Sequence, residues 1–267
     1  SSNNALTGNI VLNNSYGIYL SYSSNNALTG NAASNNSYGI HIHSSSHNAL
    51  TGNIVSSSNP YGIHLYHSDN NVLSSNTASN NSHGIYVGDS HNNVLSSNTA
   101  SNNQYGIQLY YSRDNIIAGN AASNNSYGIH LQGSNNNAIL HNNFVSNTEP
   151  QSSIDSINHW DNDAEGNYWS DYDGTDANLD GIGDKPYSID ENNLDNHPLM
   201  AMFLQFNITA ETQSYEIGVV SNSTISNFQY HYDPYNKTNT LSFKVNGTKG
   251  KGFCRICIPN ALIEPPH

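Results

Sequence analysis

Tyrosine and histidine recur at one position of a regular register: Tyr19, His41, His64, Tyr86, Gln108 and His130 stand 22 or 23 residues apart. Each lies between two aliphatics, as in Ile40-His41-Ile42. In an alternating strand all six therefore share the face opposite the aliphatic side, and solvent is the expected neighbour. His43, Tyr66 and Tyr110 follow two residues on, on that same face. A row of such rings offers an apolar body and a polar tip, which stacks on sugar faces and hydrogen-bonds hydroxyls. A polysaccharide or surface glycan is the expected partner. The neighbouring imidazoles His41 and His64, with His43 beside them, are alternatively ligands for copper or zinc. The plain structural alternative is that Tyr and His simply suit outward strand positions.

A second group of candidate ligands lies in the acidic loop Asp176-Ala177-Asn178-Leu179-Asp180-Gly181-Ile182-Gly183-Asp184. Oxygen side chains at positions one, three, five and nine, with Gly at six, match the first part of a calcium loop. Asp176, Asn178, Asp180 and Asp184 are the side-chain ligands, and Ile182 offers its carbonyl at position seven. Tyr187 stands where the bidentate Glu belongs. Asp171, Asp173 or Asp190 is then needed to complete the shell around a structural Ca²⁺. A solvated acidic turn is the competing reading.

Other chemistry finds less support. A β-helix glycosidase needs paired carboxylates on one face, and the alternating strands carry none. Asp69, Asp89 and Asp114 all fall in turn segments. Arg113-Asp114 beside Tyr110 and Tyr111 is the one cluster with a base and a charge neutraliser for a lyase or epimerase. Cys254 and Cys257 sit three apart in a strand-like stretch, on opposite faces and too far apart for a disulfide.

The elements that position these residues follow from the period. Tyr-Gly-Ile, once His-Gly-Ile, begins at Tyr16, Tyr38, Tyr61, His83, Tyr105 and Tyr127. A fixed period of this length marks stacked repeats. Short alternating stretches separated by Asn, Ser and Gly clusters make each repeat two or three strands with turns. That is one coil of a parallel β-helix. Coils about 4.8 Å apart build a rod roughly 30 Å long from six or seven repeats. Leu6, Leu28, Leu50, Leu73, Leu95, Ile117 and Ile139 form one inward column, and the Ile18 and Leu20 positions begin two more. Asparagine columns starting at Asn4 and Asn9 are expected to hydrogen-bond along the axis. The single 23-residue interval requires one extra residue between Asn53 and Asn59, near Pro60.

The fold class is therefore all-β, with three segments. Residues 1–148 are the β-helix. Residues 149–200 are an acidic, aromatic cap whose Trp160 and Trp169 plug the end of the stack, which otherwise exposes apolar side chains and strand edges. Residues 201–267 read as a partial β-sandwich with strands at 215–220, 223–232, 240–245 and 252–258. Charge is concentrated: twelve acidic residues lie between Asp155 and Asp195 against one Lys185, and the net charge is −13. That excludes a nucleic-acid partner, which demands basic patches, and favours cations. No apolar run is long enough to span a membrane. The chain opens in mid-repeat at Ser1-Ser2-Asn3-Asn4 and breaks off at Pro265-Pro266-His267, so a piece of a longer protein is expected.

The repeats, with Asn-Asn-Ser-Tyr-Gly-Ile and Leu-Thr-Gly-Asn, resemble right-handed parallel β-helix repeats of the NosD-type family. Gly166-Asn167-Tyr168-Trp169-Ser170-Asp171-Tyr172-Asp173-Gly174 with Asp180-Gly181-Ile182-Gly183-Asp184 resembles that family's C-terminal signature, and Asp195-Asn196-His197-Pro198-Leu199-Met200 extends the match. The tail around Gly252-Phe253-Cys254-Arg255-Ile256 is similar to a β-module of archaeal surface proteins. The resemblance implies several roles. Name-giving members are periplasmic accessory proteins for copper-site maturation in nitrous oxide reductase; repeat-rich relatives are extracellular surface proteins, and related β-helices bind or cleave polysaccharides. Fold transfers across such a group more surely than function. The leading expectation is a non-catalytic extracellular or cell-surface adhesion protein that binds carbohydrate along the Tyr/His strip. A polysaccharide lyase or epimerase and a periplasmic copper-accessory protein are the rivals.

Overall fold

The computed structural model describes residues 1–57, 59–210, 212–233, 235–236, 238–247 and 252–263. The chain divides into two compact units, Ser1–Tyr172 with Pro186–Pro198, and Asp173–Lys185 with Leu199–His267. The segment 173–185, inside the expected cap, thus folds with the C-terminal unit.

The first unit is a parallel β-solenoid. Each coil carries two three-residue strands and one of six, as in Ala27–Thr29, Ala32–Ser34 and Tyr38–His43. Like strands pair in parallel from coil to coil, so three sheets run along the rod. Pairing is in register, with Leu28 opposite Leu50 and Ile40 opposite Ile63. Corners need backbone in the left-handed region, and one coil has four of them: Asn25 (φ 58°), Gly30 (62°), Asn35 (53°) and Ser44 (47°). Gly and Asn enter that region at least cost, which is why the repeat is built from them. The extra residue of the long interval falls between Ser56, still paired with Ser79, and Asn59, which is back in its column.

Three aliphatic columns fill the interior as expected, and a fourth, Ala33, Val55, Ala78, Ala100 and Ala122, completes it. Each fully buried Leu or Ile contributes about 2 kcal/mol. The glycine of Tyr-Gly-Ile is a close-approach requirement. A Cβ on Gly84 would lie 2.6 Å from the Gly106 carbonyl oxygen and 2.8 Å from Asn103 Nδ2.

Polar ladders line the corners. In one, the Asn76 amide accepts nothing from the coil ahead but donates to it: its N and Nδ2 both reach Asn98 Oδ1 at 2.9 Å, and Asn98 does the same to Asn120. Donation from one ladder asparagine to the next points toward the C-terminal end, while the same Nδ2 groups also reach back to carbonyls of the preceding coil, so each ladder ends on an acceptor oxygen. This ladder passes through Asn142 and Asn167 and ends on Asp195, whose Oδ2 accepts from the Asn167 backbone at 2.7 Å and from Trp169 Nε1 at 2.9 Å. The ladder from Asn4 ends on Asn193, which accepts from the Asn158 backbone and Trp160 Nε1. Both indoles are buried, and Trp169 stacks between Phe144 and Tyr187, each ring 4.4 Å away.

In the second unit Phe203–Ala210 pairs with Gln213–Ser221, which pairs with Cys254–Cys257, and Thr224–Asp233 forms a hairpin with Thr238–Asn246. Phe203–Ala210 is a strand beyond the four expected. Cys254 and Cys257 are not joined in a disulfide. The expected chain break at 265–267 lies outside the described residues.

Candidate functional site: the ring-bearing face of the long-strand sheet

The six-residue strands Tyr16–Ser21, Tyr38–His43, Tyr61–Tyr66, His83–Gly88, Tyr105–Tyr110 and Tyr127–Gln132 bring the Tyr/His positions into register: His41 pairs with His64, His64 with Tyr86, and Gln108 with His130. The expected row exists, but it is not open to solvent. His41, His64, Gln108 and His130 are 7–9% exposed, and Tyr86, Tyr66 and Tyr110 are half-buried. Only Tyr19, on the first coil, is well exposed, at 47%.

The cover is the first residue of each Tyr-Gly-Ile. Tyr16, Tyr38, Tyr61, His83, Tyr105 and Tyr127 stack face to face, 4.6–5.1 Å apart and within 23° of parallel. These rings lean over the residues three positions on: Tyr38 lies 4.7 Å from His41, and Tyr61 4.8 Å from His64. Ring faces are therefore spent on one another rather than offered to a sugar. In the sequence this column marks only the period. Its spacing of three from the His row would put it on the opposite face of a regular strand, so alternation gives no signal that it covers the histidines.

Burial leaves the imidazoles without partners. His41 and His64 lie with ring centroids 4.5 Å apart, tilted by 36°. Both ring nitrogens of His41, and Nδ1 of His43, His64 and His130, are buried with no hydrogen bond, as is Gln108 Oε1. An unpartnered buried donor or acceptor costs roughly 1–3 kcal/mol, so a chain that keeps several in one place has reason to. Burial, then the nearby His43, pushes His41 down to about 4. Burial, then His41, His83 and His43, pushes His64 down to about 3. Both rings are neutral at pH 7 and carry free lone pairs.

The remaining candidates stand apart from this face. Arg113 Nε lies 3.7 Å from Asp114 Oδ2 in an exposed turn. In the second unit, the acidic loop turns its oxygens onto its own backbone: Asp176 accepts from the Asp180 and Gly181 amides, Asp180 from Ile182, and Asp184 from Ala177. Asn178 Nδ2 donates to Asp180 Oδ2 at 2.9 Å, and Asp173 is exposed. Asp171 belongs to the first unit, where both oxygens accept from the Tyr187 hydroxyl. Among the described residues no group of three or more His, Cys, Asp or Glu is placed to hold a metal ion. None of the helices there is long and apolar enough to cross a membrane.

Fold and face define a parallel β-solenoid protein with an imidazole-bearing outer sheet. The chain belongs to the NosD family: the family described as periplasmic copper-binding protein (NosD) matches residues 1–174. No curated protein matches it. Solved structures are similar over part of the chain. A variant of the periplasmic alginate epimerase AlgG shares 26% identity over 52% of this chain and 37% of its own, with a TM-score of 0.43. The A-module of Azotobacter vinelandii mannuronan C-5 epimerase AlgE6 shares 15% over 59% and 58%, with a TM-score of 0.46. The chain spans less than two thirds of either.

Proposed function

We propose that this chain binds copper in the periplasm, as cargo rather than as a catalyst, with His41 and His64 as its ligands. The observation that carries this reading is a pair of adjacent, buried imidazoles with unpartnered nitrogens, in a member of a copper-binding family. Imidazole lone pairs lie in the ring plane, so the two rings, now 36° from parallel, must turn edge-on to each other before both nitrogens reach one ion at ~2.0 Å. Two nitrogen ligands without a third suit a low-coordination cuprous ion better than a four-coordinate one. The test is competition for Cu(I) against a chromophoric chelator. Wild type is expected to take one equivalent, and His41→Ala/His64→Ala to lose at least tenfold in affinity; equal affinity would refute the assignment.

A glycan on the same strip would have to use ring edges and hydroxyls, since the faces are stacked. Retention of wild type on a polysaccharide panel, lost in Tyr19→Ala, is what that reading requires. For the acidic loop we propose a structural Ca²⁺, supported by its alternating oxygen side chains. Binding requires Asp176, Asp180 and Asp184 to turn from the loop's amides toward the ion. Calcium should raise the melting temperature of wild type and not of Asp180→Ala; no shift in either speaks against it.

A further inference from the structure

Histidine alone does not explain how this face would choose its metal. His41 is covered by Tyr38 at 4.7 Å and flanked by Tyr16 and Tyr19 at 5.5 and 5.2 Å. His64 lies between Tyr61 at 4.8 Å, Tyr38 at 5.3 Å and Tyr86 at 4.8 Å. Both imidazoles therefore sit in an envelope of aromatic carbon.

We propose that Tyr38 and Tyr61 set the metal selectivity of the histidine pair, by excluding the water and anions that a divalent ion needs to complete its shell. The inference rests on the copper reading above. Three physical arguments support it. The cost of desolvating an ion rises with the square of its charge, so a divalent ion pays about four times what a monovalent one does in the same envelope. Zinc and cupric ions fill four or more positions, and two nitrogens supply only two. Among the described residues, the titratable groups acting on His41 and His64 are other histidines, with no carboxylate to offset a second positive charge. A soft monovalent ion asks for none of these. The tyrosines are thus positioning residues that act on the metal through what they keep out.

Ag(I) and Zn(II) make the comparison cleanly, because both are closed-shell ions and no electron transfer intrudes. Their affinities would be measured for wild type, Tyr38→Ala, Tyr61→Ala and Tyr61→Phe, with circular dichroism confirming the fold. Each alanine variant should raise Zn(II) affinity relative to Ag(I) about tenfold or more, whereas Tyr61→Phe, which keeps the ring, should retain the wild-type ratio. If an alanine variant unfolds, Tyr38→Thr and Tyr61→Thr replace it, since a β-branched residue suits the strand. An unchanged ratio in every ring-deleted variant overturns the selectivity role while leaving the histidine site standing. Failure of wild type to bind Ag(I) or Cu(I) removes the copper reading itself, and this inference with it.

Discussion

Asn98 shows how much one side chain carries here. Its Oδ1 accepts from the backbone and side chain of Asn76, and its Nδ2 donates to Asn120 Oδ1 and to the Leu73 carbonyl at 2.9 Å. Truncation would orphan buried groups on both neighbouring coils, at roughly 1–3 kcal/mol each. Asn98→Ala is therefore expected to cost about 3 kcal/mol or more by denaturant unfolding. Thr99→Ala, on the outward face, should stay within about 0.5 kcal/mol. Similar loss from both would mean the ladder is decoration. The asparagines are legible in the sequence because they recur at one interval. Their direction of donation is not, since it depends on which way each amide faces. Nor is the reason for an acid at Asp195 visible until the ladder is seen to end there needing an acceptor.

At the scale of elements, the long-strand sheet and the cap behave differently on titration. Burial pushes Asp195 up to about 6, against the opposing pull of Trp169 and the amides of Asn167 and His197. Its folded value lies above its unfolded one, so its contribution to stability is complete below about pH 4 and is lost as pH rises through 6. His41, His64, His83 and His130, held below their ordinary value by burial, work the other way, favouring the fold above that range. Comparing melting temperatures of wild type and Asp195→Asn between pH 4 and 7 isolates the acid. Wild type should lose stability relative to the variant as pH rises, and a flat difference would contradict this. Alternation along Ile40-His41-Ile42 correctly assigns faces, but it is silent on what else shares a face. Tyrosines three residues upstream fold over the histidines, and only coil-to-coil register reveals that. The affiliation of 173–185 was equally hidden, because it rests on long-range pairing such as the Met200 amide with the Gly181 carbonyl, and Arg255 with the Asp180 carbonyl.

Taken whole, the solenoid is a ruler: a 22-residue period turns sequence position into distance along an axis, and every column of like residues becomes a track. Most tracks are structural. One holds imidazoles that are buried and unpartnered, and that difference is the basis for the copper proposal. The most direct measurement is ¹⁵N NMR of the imidazole nitrogens during titration with Cu(I) under anaerobic conditions. Of the 13 histidines, His41 and His64 should shift together and saturate at one equivalent, with smaller changes at His43. Shifts confined to exposed histidines such as His159, or no saturable change at all, would contradict the account.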